Sequence, residues 1–193
     1  MPSKTDTVGD LDEFPLAATR LGDGDRAPAG ISLTKRQVLL GDIDMRIDAD
    51  GQWHYRGSPI PRQALAKLFT TVLRRDTAGD YWLITPAEVA RVRVDDAPFV
   101  AVGLEIDGSG RDQTLIFRTN MDQNVTLSPD RPLRVEMPDG PDAAPRPYLV
   151  VADDGSEALI GRAVYYDLVA RAVEHEQPGE SLLGAEPLAL VTV

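Results

Sequence analysis

Apolar and polar residues alternate strictly from Ile43 to Asp48, with Ile43, Met45 and Ile47 on one side and Asp44, Arg46 and Asp48 on the other. A period of two predicts a half-buried strand. Asp50-Gly51 follows and predicts a hairpin turn, with the return strand starting at Trp53. The period then changes. Leu65, Leu68, Phe69, Val72 and Leu73 fall at i, i+3, i+4, i+7 and i+8, one face of a helix. A helix of roughly four turns is expected, with Ser58 as its cap and Arg74 and Arg75 at its C-terminal end, where the dipole favours cations.

Strand signals then come in series: Tyr81–Thr85, Val89–Val94, Phe99–Ile106, Thr114–Thr119, Val125–Leu127 and Leu133–Met137. Phe99–Ile106 is nearly all apolar, the pattern of a central strand. Asp107-Gly108-Ser109-Gly110 reads as a turn, and the proline-rich run Pro138–Pro147 as a long exposed loop.

The last third echoes the first. Tyr148–Ala152, the turn Asp154-Gly155, Glu157–Ile160 and a helix from about Arg162 to His175 repeat the order strand, turn, strand, helix. Leu65, Leu68, Phe69, Val72 and Leu73 align with Tyr165, Leu168, Val169, Ala172 and Val173. The expected fold class is therefore α+β, a duplicated hairpin-helix unit forming two related lobes. The expected division is an N-terminal arm over 1–37, a first α+β lobe over 38–96, a second lobe over 97–180 and a C-terminal tail over 181–193.

Composition narrows the chemistry. The chain has 193 residues, 20 Lys+Arg against 31 Asp+Glu, a net charge of −11, two His and no Cys. Without Cys there is no disulfide framework, thiolate nucleophile or thiolate metal site. An excess of acid argues against nucleic acid and anionic membranes as partners. No apolar run approaches the roughly 18 residues of a membrane span. The opening MPSKTDTVGDLDEF lacks the apolar core of a signal peptide, so the expected location is the cytoplasm.

Familiar catalytic and metal patterns fail. Around Gly51 and Gly155 the spacing does not fit a calcium loop. There is no phosphate-binding glycine loop and no nucleophile elbow. No catalytic residue, metal ligand or cofactor is assigned. His54 reads as a strand histidine facing solvent or a cleft, and Asp96 as a turn residue bonding backbone N–H groups. The stronger signal is arginine held within regular elements of an acidic chain, because its planar fork fits phosphate or carboxylate. Two readings follow for Arg118, Asn120 and Asp122 with Arg46, Arg62 and Asp44. In one they line an anion-binding cleft between lobes. In the other, these residues make structural ion pairs that hold the lobes together.

Several strings also resemble the bacterial family called domain of unknown function 1285: GDIDMRIDADGQWHYRGSPIPRQALAKLFTTVLRR, DAPFVAVGLE, FRTNMDQNVT, PLRV, PRPYLVV and EALIGRAVYYDLVARA. The resemblance spans roughly residues 38–175. It implies a duplicated α+β fold whose C-terminal half is similar to pleckstrin-homology domains. It also implies a nucleotide-like ligand between the lobes and a signalling role. The leading expectation is thus a regulatory module for a small anionic, nucleotide-like ligand. The alternatives are a protein-interaction adaptor without a pocket, and a hydrolase using His54 or Asp122.

Overall fold

In this computed structural model residues 27–108, 113–138 and 144–173 are described. They form two six-stranded sheets. The first contains β1 (Val38–Ile47), β2 (Trp53–Tyr55), β3 (Ser58–Pro59), β4 (Leu73–Arg75), β5 (Tyr81–Ile84) and β6 (Glu88–Val94), with α1 (Gln63–Val72) between β3 and β4. The second contains β7 (Phe99–Asp107), β8 (Thr114–Thr119), β9 (Asn124–Thr126), β10 (Leu133–Glu136), β11 (Arg146–Val150) and β12 (Glu157–Ile160), followed by α2 (Arg162–Val173). Among the described residues sheet dominates, and the helices are short additions to it. Most of the N-terminal arm, Ser109-Gly110, the middle of the proline-rich loop, His175 and the C-terminal tail lie outside the described residues.

The strand orders are β3-β2-β1-β6-β5-β4 and β10-β11-β12-β7-β8-β9. Read in the same direction these are one topology. Each lobe is two three-stranded meanders, joined where the first strand runs parallel to the last: β1 beside β6, and β7 beside β12. The registers agree as well. Leu73 faces Leu83, which faces Ala90; in the second lobe Leu133 faces Leu149, which faces Ala158. The duplication is therefore present, but its unit differs from the expected one. Hairpin β11–β12 is the counterpart of β5–β6, not of β1–β2. The helices are not counterparts, because α1 sits between the meanders of its lobe and α2 follows both. Of the matched stripes, Leu65, Phe69 and Val72 on α1 and Tyr165 and Leu168 on α2 pack against the core, whereas Leu68 and Val169 are exposed.

Alternation worked where one face is buried. Ile43, Met45 and Ile47 are buried while Asp44 is exposed. The strand is not regular, however. Gly41 and Asp44 both have positive φ, at 68° and 57°, where β1 bulges against β6. Asp44 and Arg46 therefore do not share a face in the regular way. Helix α1 is ten residues, shorter than expected. Its N-terminus falls after Pro61, since prolines cannot donate and tend to stand at helix starts. Ser58 belongs to β3 and caps nothing. Leu73, Arg74 and Arg75 leave the helix to form β4, because Leu73 buries better opposite Leu83 than on a fourth turn.

Buried residues of both lobes join in one apolar cluster, from Leu40 and Trp53 to Phe117, Leu149 and Val164. Several hairpins share one turn. Asp48, Asp76 and Thr119 each begin a five-residue turn in which the side-chain oxygen accepts the N–H groups two and four residues on. The fourth residue, Gly51, Gly79 or Asp122, is left-handed. Among the described residues no helix is long and apolar enough to cross a membrane.

Candidate functional site

Beside the shared apolar core, polar side chains join the lobes at two places among the described residues. The first is a seam at the β8–β9 turn. Asn120 Oδ1 accepts from the Val100 amide at 3.1 Å, and Asn120 Nδ2 donates to the Gly51 carbonyl at 3.3 Å. Gln63 Nε2, on the first turn of α1, donates to the Asn120 carbonyl at 3.1 Å. Lys67, one turn further on α1, donates to Asp122, and Arg118 lies 3.8 Å from the same carboxylate. The bonded ammonium holds the Asp122 carboxyl below the usual range, with Arg118 adding to the effect.

Of the six residues picked out from sequence, the structure brings Arg118, Asn120 and Asp122 together here. Arg62 stands exposed just before Gln63 at the start of α1. Arg46 pairs instead with Asp95 at 2.7 Å. Asp44 supports the β1 bulge, its amide bonded by Asp42 and its carbonyl accepting from Arg56. Asn120→Ala should cost about 1–3 kcal/mol of stability and speed hydrogen exchange at the Val100 amide. Unchanged stability in urea with unchanged exchange would remove Asn120 from the seam.

The second place is a polar groove of about 590 Å³ where meander β4–β6 meets meander β10–β12. Arg75, Arg91, Arg93, Arg134 and Arg146 line it, together with Tyr81 and Tyr148. Most of these cations are held by carboxylates. Arg91 pairs with Asp80 at 2.6 Å, and Arg134 takes both oxygens of Glu157 at 2.6 and 2.7 Å. Arg93 reaches Asp42 only at 3.7 Å. Arg146 bonds Asp96, which also accepts from the Tyr148 hydroxyl at 2.8 Å. Asp96 thus holds two side chains of the second lobe rather than turn amides. The Tyr148 ring lies under Arg134, 4.2 Å from the guanidinium carbon. Burial and the bond to Asp96 push its hydroxyl up to about 12.

Arg75 differs from the other four. Its amide donates to Asp154 Oδ2 at 2.9 Å and its Nη1 to the Gly155 carbonyl at 3.0 Å, both in the second lobe. Its Nε is buried without an acceptor. Sequence reading missed this residue because it placed Arg75 on a helix end. The signal available was Asp76-Thr77-Ala78-Gly79-Asp80, a turn sequence that requires a strand before it.

His54 lies away from the groove. It is only partly open to solvent: its side chain is 16% exposed and its Nε2 sits 2.7 Å from Asp48 Oδ2. Burial pushes the Asp48 carboxyl up, but amide bonds from Gln52 and Asp50 and the contact with His54 leave it lowered. Asp48 is thereby a turn residue as much as a histidine partner. Among the described residues no cluster of His, Asp and Glu is suited to a metal ion.

Comparison with known proteins fits this bipartite build. The family model described as domain of unknown function (DUF1285), N-terminal domain, matches residues 37–97, and the DUF1285 C-terminal domain matches residues 98–187. A crystal structure of a DUF1285 family protein from Silicibacter pomeroyi DSS-3 is similar at 40% identity and a TM-score of 0.65, covering 76% of this chain and 79% of that one. A second, from Shewanella baltica OS155, is 30% identical with a TM-score of 0.49, covering 66% and 91%. No curated protein matches. With both family domains matched in order over most of its length, the chain belongs to the DUF1285 family.

Proposed function

We propose that this protein is a cytoplasmic regulatory module that holds one compact, nucleotide-like anion in the groove between its lobes. The observation that carries the reading is the gathering of five arginines in one groove of a chain with net charge −11. The lining sets those five arginines beside six carboxylates, so the groove has no net positive field, and what would draw a small anion is the directional N–H fork of an arginine that no carboxylate occupies. The groove's carboxylates suit such a ligand too, because a base or sugar brings hydrogen-bond donors. The second lobe, a mostly antiparallel sheet followed by a helix packed along β7, is read as pleckstrin-homology-like. The seam at Asn120 and Asp122 is read as the joint that keeps the groove's walls in place.

Binding is favoured over catalysis. His54 is not among the groove's lining residues. The Tyr148 hydroxyl, raised to about 12 and donated to Asp96, is a poor base at neutral pH. The adaptor alternative has one observation in its favour, the exposure of Tyr166 and Val169 on α2.

Thermal melting with millimolar nucleoside mono- and diphosphates tests the proposal. A ligand at 100 times its dissociation constant adds about 2.7 kcal/mol, a shift of several degrees. Arg93 is 65% exposed in a long ion pair, so Arg93→Ala should fold normally and bind about tenfold more weakly. A panel that leaves the melting temperature unmoved would contradict the reading.

A further inference from the structure

Resting on the groove reading, we infer that Arg75 is the anchor for the ligand's phosphate and that it holds the phosphate side-on through Nε and Nη2. Arginine has two ways to grip an oxyanion, and the side-on edge places Nε–H and one Nη–H parallel, matched to two oxygens of one group. In the other four groove arginines, at least one guanidinium nitrogen lies within ion-pair distance of a carboxylate. Arg75 has no carboxylate within ion-pair distance of its guanidinium among the described residues. Its Nη1 is committed to Gly155. Its Nε is shielded from solvent and has no acceptor. A buried donor left this way is a cost to the fold, so an incoming acceptor gains what the folded chain forgoes.

A glycine stands against each flank of the guanidinium, so no side chain from either position crowds it. Gly79, at φ +89°, stands where a Cβ would come 3.6 Å from Nη2. Gly155, at φ +77°, stands where a Cβ would come 3.3 Å from Nη1. Each belongs to a turn, one per lobe, so the guanidinium lies between a turn of the first lobe and a turn of the second. A phosphate is favoured over a carboxylate as occupant. The groove already supplies six carboxylates, and those in reach have taken the other arginines. A dianion with a third oxygen to spare offers what they do not. Because the same guanidinium grips Gly155, an anion on Nε and Nη2 bears directly on the contact between lobes.

The test is a side-chain NMR titration of the full chain. The Arg75 Nε–H resonance is assigned through its own backbone, so no variant is required. Inorganic phosphate, a nucleoside monophosphate and acetate are added separately at matched ionic strength. The expected result is a saturable shift of the Arg75 Nε–H with phosphate and with the nucleotide, and none with acetate. An unmoved Arg75 resonance under phosphate, or an equal response to acetate, overturns the anchor. A nucleotide that raises the melting temperature yet leaves Arg75 unmoved also overturns it, while the groove reading stands. Phosphate that moves Arg75 when no nucleotide changes melting supports the anchor, and it is the wider nucleotide reading that fails. Arg75→Lys, which keeps the charge and loses the fork, should weaken phosphate binding at least about tenfold; equal binding by a folded variant counts against the anchor.

Discussion

Asp76→Ala is expected to lower the unfolding free energy by about 3–4 kcal/mol at neutral pH. Asp76 is 5% exposed, yet its carboxylate accepts four hydrogen bonds: from the amides of Ala29, Ala78 and Asp80 and from the Trp82 indole at 3.0 Å. Burial alone would raise its pKa, but those four donors outweigh it and the carboxyl stays below its usual value. Alanine leaves the indole N–H of a residue 2% exposed without an acceptor. The sign of the pH effect follows. A folded-state pKa below the unfolded one, about 3.9, contributes stability that is complete well above pH 4 and is lost as pH falls through the folded value. The gap between parent and Asp76→Asn in urea denaturation should therefore narrow below about pH 4. A gap that stays constant into acid would mean that the charge is not what the four donors stabilise.

The second large effect is at Trp53. It is fully buried, pairs across β1 with Ile47, and packs against Phe69 of α1 with ring centroids 5.6 Å apart. Trp53→Ala should cost about 3–5 kcal/mol. Trp53 Nε1 is also buried without a partner, so part of the indole's burial is unrewarded. Trp53→Phe removes that donor and keeps an aromatic ring, and should cost about 1–2 kcal/mol. Equal losses for the two variants would refute the assignment of the indole N–H as an unsatisfied group. Since the apolar cluster runs through both lobes, both variants should melt in one transition.

What the sequence made legible follows from where burial is one-sided. The strands at Ile43–Ile47, Thr114–Thr119 and Glu157–Ile160 declare themselves because alternation and burial coincide. The end of α1 was hidden, since Leu73 satisfies a helical stripe and a strand register equally well by pattern. The repeat was misaligned for a related reason: a hairpin followed by a helix occurs in each half, and only pairing shows that β1 and β7 are the equivalent strands. In the seam, the sequence singled out Arg118, Asn120 and Asp122 because polar residues at a strand end stand out. Their partners Gln63 and Lys67 did not, because an exposed helix face has no reason to look different until something packs on it. The groove was least legible. Its arginines are spread from Arg75 to Arg146, and Arg91 and Arg93, though among the arginines held within regular elements, carry nothing in their spacing that assigns them to one site. Only the meeting of two meanders distant in sequence turns them into one surface.

Mapping amide chemical shifts of the full chain during titration with a nucleoside monophosphate distinguishes a ligand in the groove from one at the seam. A ligand in the groove gives saturable changes concentrated on β4–β6 and β10–β12, strongest around Arg75, Arg93 and Tyr148. Changes confined to the first turn of α1 and the Asn120–Asp122 turn, or no saturable change at all, would contradict it.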